Sequence, residues 1–220
     1  MDALMSRQYE SEVVQNIAAL KKCFFGEIRI NSIFEGTSYS LEFLTAECSN
    51  NLHLMALLAK WRKNHEYWFP AIFPVTTERT IKWFTKSVIE NPQRLLFILK
   101  VNSEYIGHLG LNRFDFDLKS CEIDNIVRGE DGYRGVMGHA ILQMMEWGRR
   151  YLKLHSYSLQ TFSDNVKSLK LYKSLCFKEV DRVAMIQRQS DDGLEWVEAI
   201  ESYDLSNISR YNIKMELNNG

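Results

Sequence analysis

The sequence predicts a single α/β domain in which helices cover both faces of a central mixed sheet. Short apolar runs bounded by turn residues alternate with segments whose apolar residues recur every three or four positions, the patterns of strands and helices. The 220 residues suffice for one sizeable core, since a domain commonly takes about 100–200. Hydrophobic residues make up 45% of the chain and charged residues 25%, which is typical of a globular protein.

Composition also excludes several classes of protein. A net charge of −1 lacks the basic excess of a protein that binds a nucleic-acid backbone. No run of about 18 apolar residues occurs, and the first residues lack the features of a secretion signal. The four cysteines are scattered, without a metal-binding spacing. We therefore expect a cytoplasmic protein with free thiols, no metal, and neither nucleic acid nor membrane as a partner.

The chain divides into three predicted parts. Residues 1–38 are an N-terminal extension, with a helix at loosely helical spacing, then a strand over residues 28–34 and a turn. Residues 39–204 form the main domain, and residues 205–220 a polar C-terminal tail. The second half of the main domain ends with a strand, a helix that Ser163 is placed to cap, and a closing hairpin.

The middle of the chain is the most informative segment. Residues 95–100 and 105–111 predict a hairpin, and residues 120–127 a further strand on which Glu122 and Asp124 point to the same side. A loop rich in glycine and charge follows, and then a long buried helix from Val136. A helix N-terminus carries unpaired N–H groups and a partial positive charge, so this arrangement suits a diphosphate. An ordinary glycine-containing turn before a helix is the alternative.

Two motifs resemble those of a known family. Residues 132–137, Gly-Tyr-Arg-Gly-Val-Met, resemble the acetyl-CoA signature Gln/Arg-x-x-Gly-x-Gly/Ala of the GNAT superfamily of N-acetyltransferases, with Gly132 and Met137 departing from the usual residues. Residues 164–177 resemble the family's segment Asn-x-x-Ser/Ala-x-x-Leu-Tyr-x-x-x-Gly-Phe, with Cys176 replacing its glycine. Residues 105–111 are similar to the family's third strand and residues 58–64 to its first helix. The resemblance covers residues 39 to about 204.

The resemblance implies a GNAT fold, whose sheet is splayed between its fourth and fifth strands with acetyl-CoA bound at the splay. It implies transfer of the acetyl group to a small-molecule amine by direct attack on the thioester. Its branch acetylates amino sugars of bacterial surface glycans and protein N-termini. We expect a nucleotide-linked amino sugar, because residues 61–69 mix aromatic and cationic side chains that suit a base and phosphates. The alternative is that Trp61 and Phe69 are core residues and the charges belong to a solvated helix end.

Two alternatives stay open at this point. The acceptor could be a protein N-terminus or another amine, or the chain could be a non-catalytic CoA-binding module of the same fold. The expected partners are acetyl-CoA, the amine acceptor and, as an option, a second copy of the chain in a homodimer.

The resemblance also assigns roles. Tyr172 would protonate the departing thiolate, although a core aromatic would show the same spacing. Glu122 is the favoured base, with Asp124, a water chain or His108 as alternatives. Asn165 would contact the pantetheine arm or cap its helix. The residues expected to bind acetyl-CoA are Ile126, Val127, Tyr133, Arg134, Gly135, Val136, Met137, Gly138, Asn165 and Ser168.

Overall fold

Five helices and ten strands make up the computed structural model, which describes residues 3–199, 208 and 210–218. The helices are α1 (Ala3–Lys22), α2 (Leu52–Asn64), α3 (Thr77–Trp83), α4 (Val136–Tyr151) and α5 (Val166–Ser174). The strands are β1 (Arg29–Phe34), β2 (Thr37–Phe43), β3 (Ala71–Ile72), β4 (Arg94–Val101), β5 (Glu104–Asp115), β6 (Ser120–Arg128), β7 (Ser156–Phe162), β8 (Lys178–Ser190), β9 (Gly193–Glu198) and β10 (Arg210–Asn218). A π-helical segment, Phe84–Ile89, continues α3, and Glu66–Trp68 forms a short 3₁₀ turn.

The strands form one mixed sheet in the order β1-β2-β4-β5-β6-β7-β10-β8-β9-β3. Strands β6 and β7 pair in parallel, whereas the other recorded pairs are antiparallel. The parallel pairing joins Ser120 to Ser156, Cys121 to Tyr157 and Glu122 to Ser158, and it stops there although both strands continue. The two strands therefore diverge, which confirms the predicted splay at the family's fourth and fifth strands.

Helices cover both faces of this sheet, as predicted. The larger core packs α1 and α4 on one face, and the smaller core packs α2 and the π-helical segment on the other. Strand β4 shows the division, since Phe97 belongs to the larger core and its neighbours Leu96 and Ile98 to the smaller one. This alternation is the two-residue period of a strand buried on both sides.

Helix α1 and strand β1, predicted as an extension, are part of the same core and sheet. The Tyr9 hydroxyl donates to the Leu152 carbonyl oxygen at 2.6 Å, and the Lys21 ammonium donates to the Val88 carbonyl oxygen at 2.6 Å. Both side chains are buried. In the part of the chain that the structure describes, no helix is both long and apolar enough to cross a membrane.

The predicted polar tail over residues 205–220 is wrong for residues 210–218, which form β10 between β7 and β8. Ile213 and Met215 are fully buried and alternate with Asn212, Lys214 and Glu216 along the strand. That alternation is a strand signal hidden in a polar composition. The remaining residues of the predicted tail, apart from Ile208, lie outside the described residues.

Of the two residues predicted to cap α5, the structure confirms Asn165 and corrects Ser163. The side chain of Asn165, rather than that of Ser163, accepts a hydrogen bond from the Ser168 N–H, at 3.2 Å. Ser163 instead accepts from the Tyr211 N–H through its hydroxyl at 3.0 Å, which ties β10 to the end of β7.

Candidate active site

A cleft of about 1180 Å³ opens where β6 and β7 diverge. Its walls are chiefly β6, β7, the N-terminus of α4, α5 and the turn after α2, and residues of β4, β5, β8 and β10 complete them. The volume exceeds the roughly 300–1,000 Å³ of a typical small-molecule site, so there is room for two substrates side by side. The residues predicted for catalysis and for acetyl-CoA binding line this one cleft; among them Val136 is the exception, because it is buried in the core behind it.

The N-terminus of α4 presents free backbone N–H groups at the cleft, the arrangement predicted as an anion-binding cradle. Its N-cap, Gly135, has φ +80° and no side chain to cap the helix. The His139 N–H donates to the Gly135 carbonyl oxygen at 3.1 Å, and this is the first hydrogen bond of the helix. The N–H groups of Val136, Met137 and Gly138 therefore lack intrahelical acceptors and add to the positive end of the helix dipole.

Two lysines add positive charge to the same cleft. Lys167 and Lys170 of α5 line it together with the N-terminus of α4, and both are exposed. The arrangement fits the diphosphate of a CoA molecule.

Gly135, predicted to bind acetyl-CoA, is also in close contact with Phe34. A Cβ atom on Gly135 would lie 2.6 Å from Cε1 of Phe34, whose ring also packs against His139 at 5.0 Å between centroids. The β1–β2 hairpin, which begins with the strand that carries Phe34, therefore packs where a side chain at position 135 would lie. Glycine is required here both by its positive φ and by the aromatic ring beside it.

A bulge at Asn125 changes the direction of β6 beside the cleft. Asn125 has φ +50°, and the pairing with β5 shifts register at this point. Ile123 and Ile126 both pack against the larger core, whereas Val127 belongs to the smaller core on the opposite face. The regular alternation predicted for this strand therefore ends at Asn125, and the backbone at Ile126 and Val127 takes a new orientation.

The two predicted carboxylates share a side of β6 but differ in their partners. Glu122 accepts from Gln160 Nε2 at 3.0 Å and pairs with Arg113 at 3.1 Å; the Arg113 side chain is 68% exposed. Asp124 contacts Arg94 in an ion pair whose two side chains are each only 14% exposed. Its Oδ1 atom is buried without a hydrogen-bond partner among the described residues. Glu122 is consequently the carboxylate whose partner is free to move.

The position of Tyr172 fits both predicted roles, a proton donor at the cleft and an aromatic residue of the core. It is buried in the larger core and its ring packs edge-on against Phe177, yet it also lines the cleft. Burial raises the pKa of Tyr172 to about 12, against a smaller lowering by a hydrogen bond with the Ser168 side chain. Its hydroxyl is therefore protonated at neutral pH, as a proton donor must be.

His108 is buried outside the cleft. Its ring stacks on Trp61 at 6.0 Å between centroids, and burial lowers its pKa to about 4, opposed by a hydrogen bond with the Asn125 backbone. It is not among the described residues that line the cleft. The geometry favours a structural role for this histidine, which holds the bulge of β6 against α2.

The aromatic and cationic segment 61–69 reaches the cleft only in part. Trp61 is fully buried beneath Gly129, where a Cβ atom would collide with its indole ring. The Arg62 guanidinium stacks on Phe69 at 3.9 Å and donates to the Ala71 carbonyl oxygen at 2.5 Å, so it serves packing. His65, Trp68 and Phe69 do line the cleft.

Several polar residues of the site were not expected from the sequence. Asn112, Gln160 and Asn212 line the cleft beside Glu122 and Asp124, and Asn212 Nδ2 donates to Gln160 Oε1 at 2.5 Å. Asn212 lies on β10, which was predicted as tail. Asn112 lies just beyond the predicted strand 105–111, and Gln160 lies on a strand that was predicted, but their neighbours across the sheet could be identified only from the strand order.

The model of the Acetyltransferase (GNAT) domain matches residues 48–178, more than half of the chain. The chain therefore belongs to the GNAT acetyltransferase family. It is an acyltransferase, an N-acetyltransferase that depends on acetyl-CoA, and the predictions of fold and enzyme class are confirmed at this level. No curated protein matches the sequence significantly.

Solved structures show the same fold at low sequence identity. Spermidine N-acetyltransferase from Vibrio cholerae, in complex with CoA and spermine, has 16% identity and a TM-score of 0.61 over 82% of this chain and 95% of that chain. RimJ from Mycobacterium smegmatis, in complex with CoA-disulfide, has 12% identity and a TM-score of 0.61 over 86% of each chain. RimL, a ribosomal L7/L12 α-N-protein acetyltransferase, has 13% identity and a TM-score of 0.58 over 87% of this chain and 96% of that chain.

Proposed function

We propose that this enzyme transfers the acetyl group of acetyl-CoA to the primary amine of a small polar acceptor that is not a polycation, such as a nucleotide-linked amino sugar. The observation that carries the proposal is the charge of the cleft. Six arginine or lysine side chains and two carboxylates line it among the residues that the structure describes. Each carboxylate is already paired with an arginine: Glu122 with Arg113 and Asp124 with Arg94.

This balance of charge disfavours a polyamine. A ligand with several ammonium groups requires an excess of carboxylates, because like charges at close range raise its free energy in the site. The cleft as a whole has the opposite excess, part of which suits the phosphates of CoA. Beside the two carboxylates, Arg113 and Arg94 already balance Glu122 and Asp124, so no unpaired carboxylate among the described lining residues is left for a polycation. Spermine-binding is a property of the Vibrio cholerae enzyme, and the charges of this cleft do not favour it here.

The uncharged side chains support a hydroxylated acceptor. Asn112, Gln160 and Asn212 each offer both a hydrogen-bond donor and an acceptor, the combination that recognises sugar hydroxyls. Trp68 is part-exposed at the rim and Phe69 lies beside it, so an aromatic base has rings on which to stack. A peptide N-terminus is the competing acceptor.

The proposed chemistry uses few groups of the chain. When bound, acetyl-CoA supplies an activated thioester, and the N–H groups at the start of α4 would hold its diphosphate. Glu122 takes a proton from the acceptor ammonium, directly or through water, so that the free amine forms the new C–N bond as the C–S bond breaks. Tyr172 donates its hydroxyl proton to the departing sulfur. The nitrogen of the new amide releases its second proton to solvent, and a proton passes from Glu122 through solvent to Tyr172, so both groups are restored and one proton leaves in each turnover.

Glu122 is preferred over Asp124 because of their partners. Arg113 is exposed and can leave Glu122, whereas Arg94 and Asn112 hold Asp124 in a nearly buried pair. Releasing Asp124 would leave the Arg94 charge buried without its counter-ion, which is costly. The predicted homodimer stays a prediction.

A competition among acceptors tests the proposal. The purified protein is mixed with acetyl-CoA and nucleotide-linked 3-amino and 4-amino sugars, spermidine and spermine, or peptides with free N-termini, and the release of CoA thiol is followed. We expect turnover with at least one sugar nucleotide and little with the polyamines. Turnover on polyamines or peptides with none on sugar nucleotides would overturn the acceptor class. Tyr172→Phe serves as the control that the activity arises in this cleft.

A further inference from the structure

We propose that Arg210 is a positioning residue for the acceptor side of the cleft: its caged guanidinium fixes the turn Glu66–Trp68 and, through it, the ring of Trp68. The inference rests on the proposed function, because it assumes that Trp68 and Phe162 contact the acceptor. Arg210 is the first residue of β10 and its side chain is 2% exposed.

Aromatic rings enclose the guanidinium. Its Cζ atom lies 4.1 Å from the ring centroid of Tyr67, 4.4 Å from that of Phe162 and 4.4 Å from that of Trp196. Trp68 lies farther, at 5.9 Å. Buried cation–π contacts are stronger than exposed ones, so the cage stabilises a charge that would otherwise be poorly solvated.

Hydrogen bonds direct the two ends of the guanidinium to different parts of the fold. Nη1 donates to the Tyr67 carbonyl oxygen at 3.2 Å, and Nη2 donates to Asp164 Oδ2 at 2.6 Å. The Tyr67 hydroxyl donates to the same Asp164 oxygen at 2.9 Å. The planar fork of arginine is needed for this, since lysine presents one point of charge and cannot span both acceptors while stacking on the rings.

These contacts join the turn Glu66–Trp68 to α5, the helix that carries Tyr172. Asp164 directly precedes Asn165, the N-cap of α5. The Tyr67 ring packs edge-on against Trp68 at 4.7 Å between centroids, and Trp68 and Phe162 both line the cleft. Moving Arg210 would release the turn and change the place of Trp68 without touching the α4 cradle.

The test compares Arg210→Lys with Arg182→Lys by hydrogen–deuterium exchange and steady-state kinetics. Arg182 is a matched control, because it also lies over an aromatic ring, that of Tyr211 at 5.6 Å, but is exposed and outside the cleft. In Arg210→Lys we expect about tenfold faster exchange confined to residues 65–70. With the best acceptor of the panel, the acceptor KM should rise about tenfold, with the acetyl-CoA KM unchanged.

Exchange that is unchanged in residues 65–70, or raised equally over the whole sheet, would overturn the proposal, as would a rise in the acetyl-CoA KM alone. If Arg210→Lys does not fold, Tyr67→Phe removes the hydroxyl link to Asp164 and leaves the cage, and it should raise exchange in the same residues. The exchange experiment needs no acceptor. Failure of every acceptor would therefore count against the proposed function and leave the role of Arg210 to be decided by exchange.

Discussion

The Phe177 N–H donates to the Tyr172 carbonyl oxygen at 3.0 Å and closes the C-terminal end of α5. The Cys176 N–H donates in turn to the Lys173 carbonyl oxygen at 3.0 Å, so the two bonds form a Schellman motif. Cys176 occupies the position of this motif that requires the left-handed conformation, with φ +68°. The glycine of the family's Gly-Phe pair is thus explained by the left-handed backbone that the Schellman motif requires. This chain has Cys176 at that position, so a side chain lies where glycine fits best.

Replacing this residue by glycine should stabilise the protein. Cys176→Gly removes a left-handed side chain, a strain of roughly 1–2 kcal/mol, and part of the gain is lost to the greater unfolded-state freedom of glycine. We expect a net gain of about 1 kcal/mol in the free energy of unfolding, measured by urea denaturation. Cys176→Ala is the control, since alanine keeps the strained Cβ atom. A glycine variant no more stable than the alanine variant would contradict this account.

Acetyl-CoA should stabilise the fold through the α4 cradle. A ligand that binds only the native state adds RT ln(1 + [L]/Kd), or about 2.7 kcal/mol at one hundred times Kd. Gly135→Glu forces a side chain against Phe34 at the start of α4 and should abolish the rise in Tm by distorting the free N–H groups there. Gly36→Glu is a control for the loss of a glycine with the same φ of +80°, at a position in the turn of the β1–β2 hairpin where a side chain meets no neighbour. An undiminished rise in Tm in Gly135→Glu would show that acetyl-CoA does not bind at the N-terminus of α4.

Loss of the Tyr172 hydroxyl should affect catalysis rather than binding. Tyr172→Phe is expected to lower kcat by about 10²–10⁴-fold with little change in the KM for acetyl-CoA, as for a general acid. Tyr157→Phe is the control: its hydroxyl donates to the Met145 carbonyl oxygen at 2.6 Å away from the cleft. That variant should lose about 1 kcal/mol of stability and keep kcat. The same pattern in Tyr172→Phe would show that Tyr172 is a core residue alone.

The two carboxylates should respond differently to conversion into amides. Glu122→Gln is expected to depress the rate most near neutral pH and to recover at higher pH, where more of the acceptor amine is already deprotonated. Asp124→Asn should instead lower stability by about 3 kcal/mol, because the Arg94 charge is left buried without its counter-ion. The pH–rate profile and a denaturation curve of each variant distinguish these effects. The pH recovery in Asp124→Asn alone would move the base to that residue.

The elements that bear the site were predictable because their patterns are long and regular. Helix α4 repeats apolar residues every three or four positions from Val136 to Tyr151, and the strand–loop–helix order before it indicated the cradle. Strand β10 was missed although its apolar residues alternate with polar ones, Lys214 and Glu216 among them, because the polar composition of residues 205–220 was interpreted as a tail. The aromatic rings around Arg210 could not be predicted either, because the contacts between residues 67, 164 and 210 depend on the strand order.

Other features depend on conformation that a residue type does not fix. Asn125 is in the left-handed region, and the bulge it creates sends Val127 to the opposite core. Asparagine adopts that conformation more readily than most residues but does not require it. Trp61 was similarly ambiguous, because an indole suits both an acceptor surface and a core, and only the neighbouring Gly129 decides for the core.

The position of β10 has a consequence for biosynthesis. The strand follows β8 and β9 along the chain, yet it must insert between β7 and β8. While a ribosome still holds residues 210–218, both neighbouring strands expose unpaired edges, which are templates for association between nascent chains. We expect chains stalled before residue 210 to require chaperones and to aggregate when released, whereas chains that include β10 close the sheet after its other strands have formed.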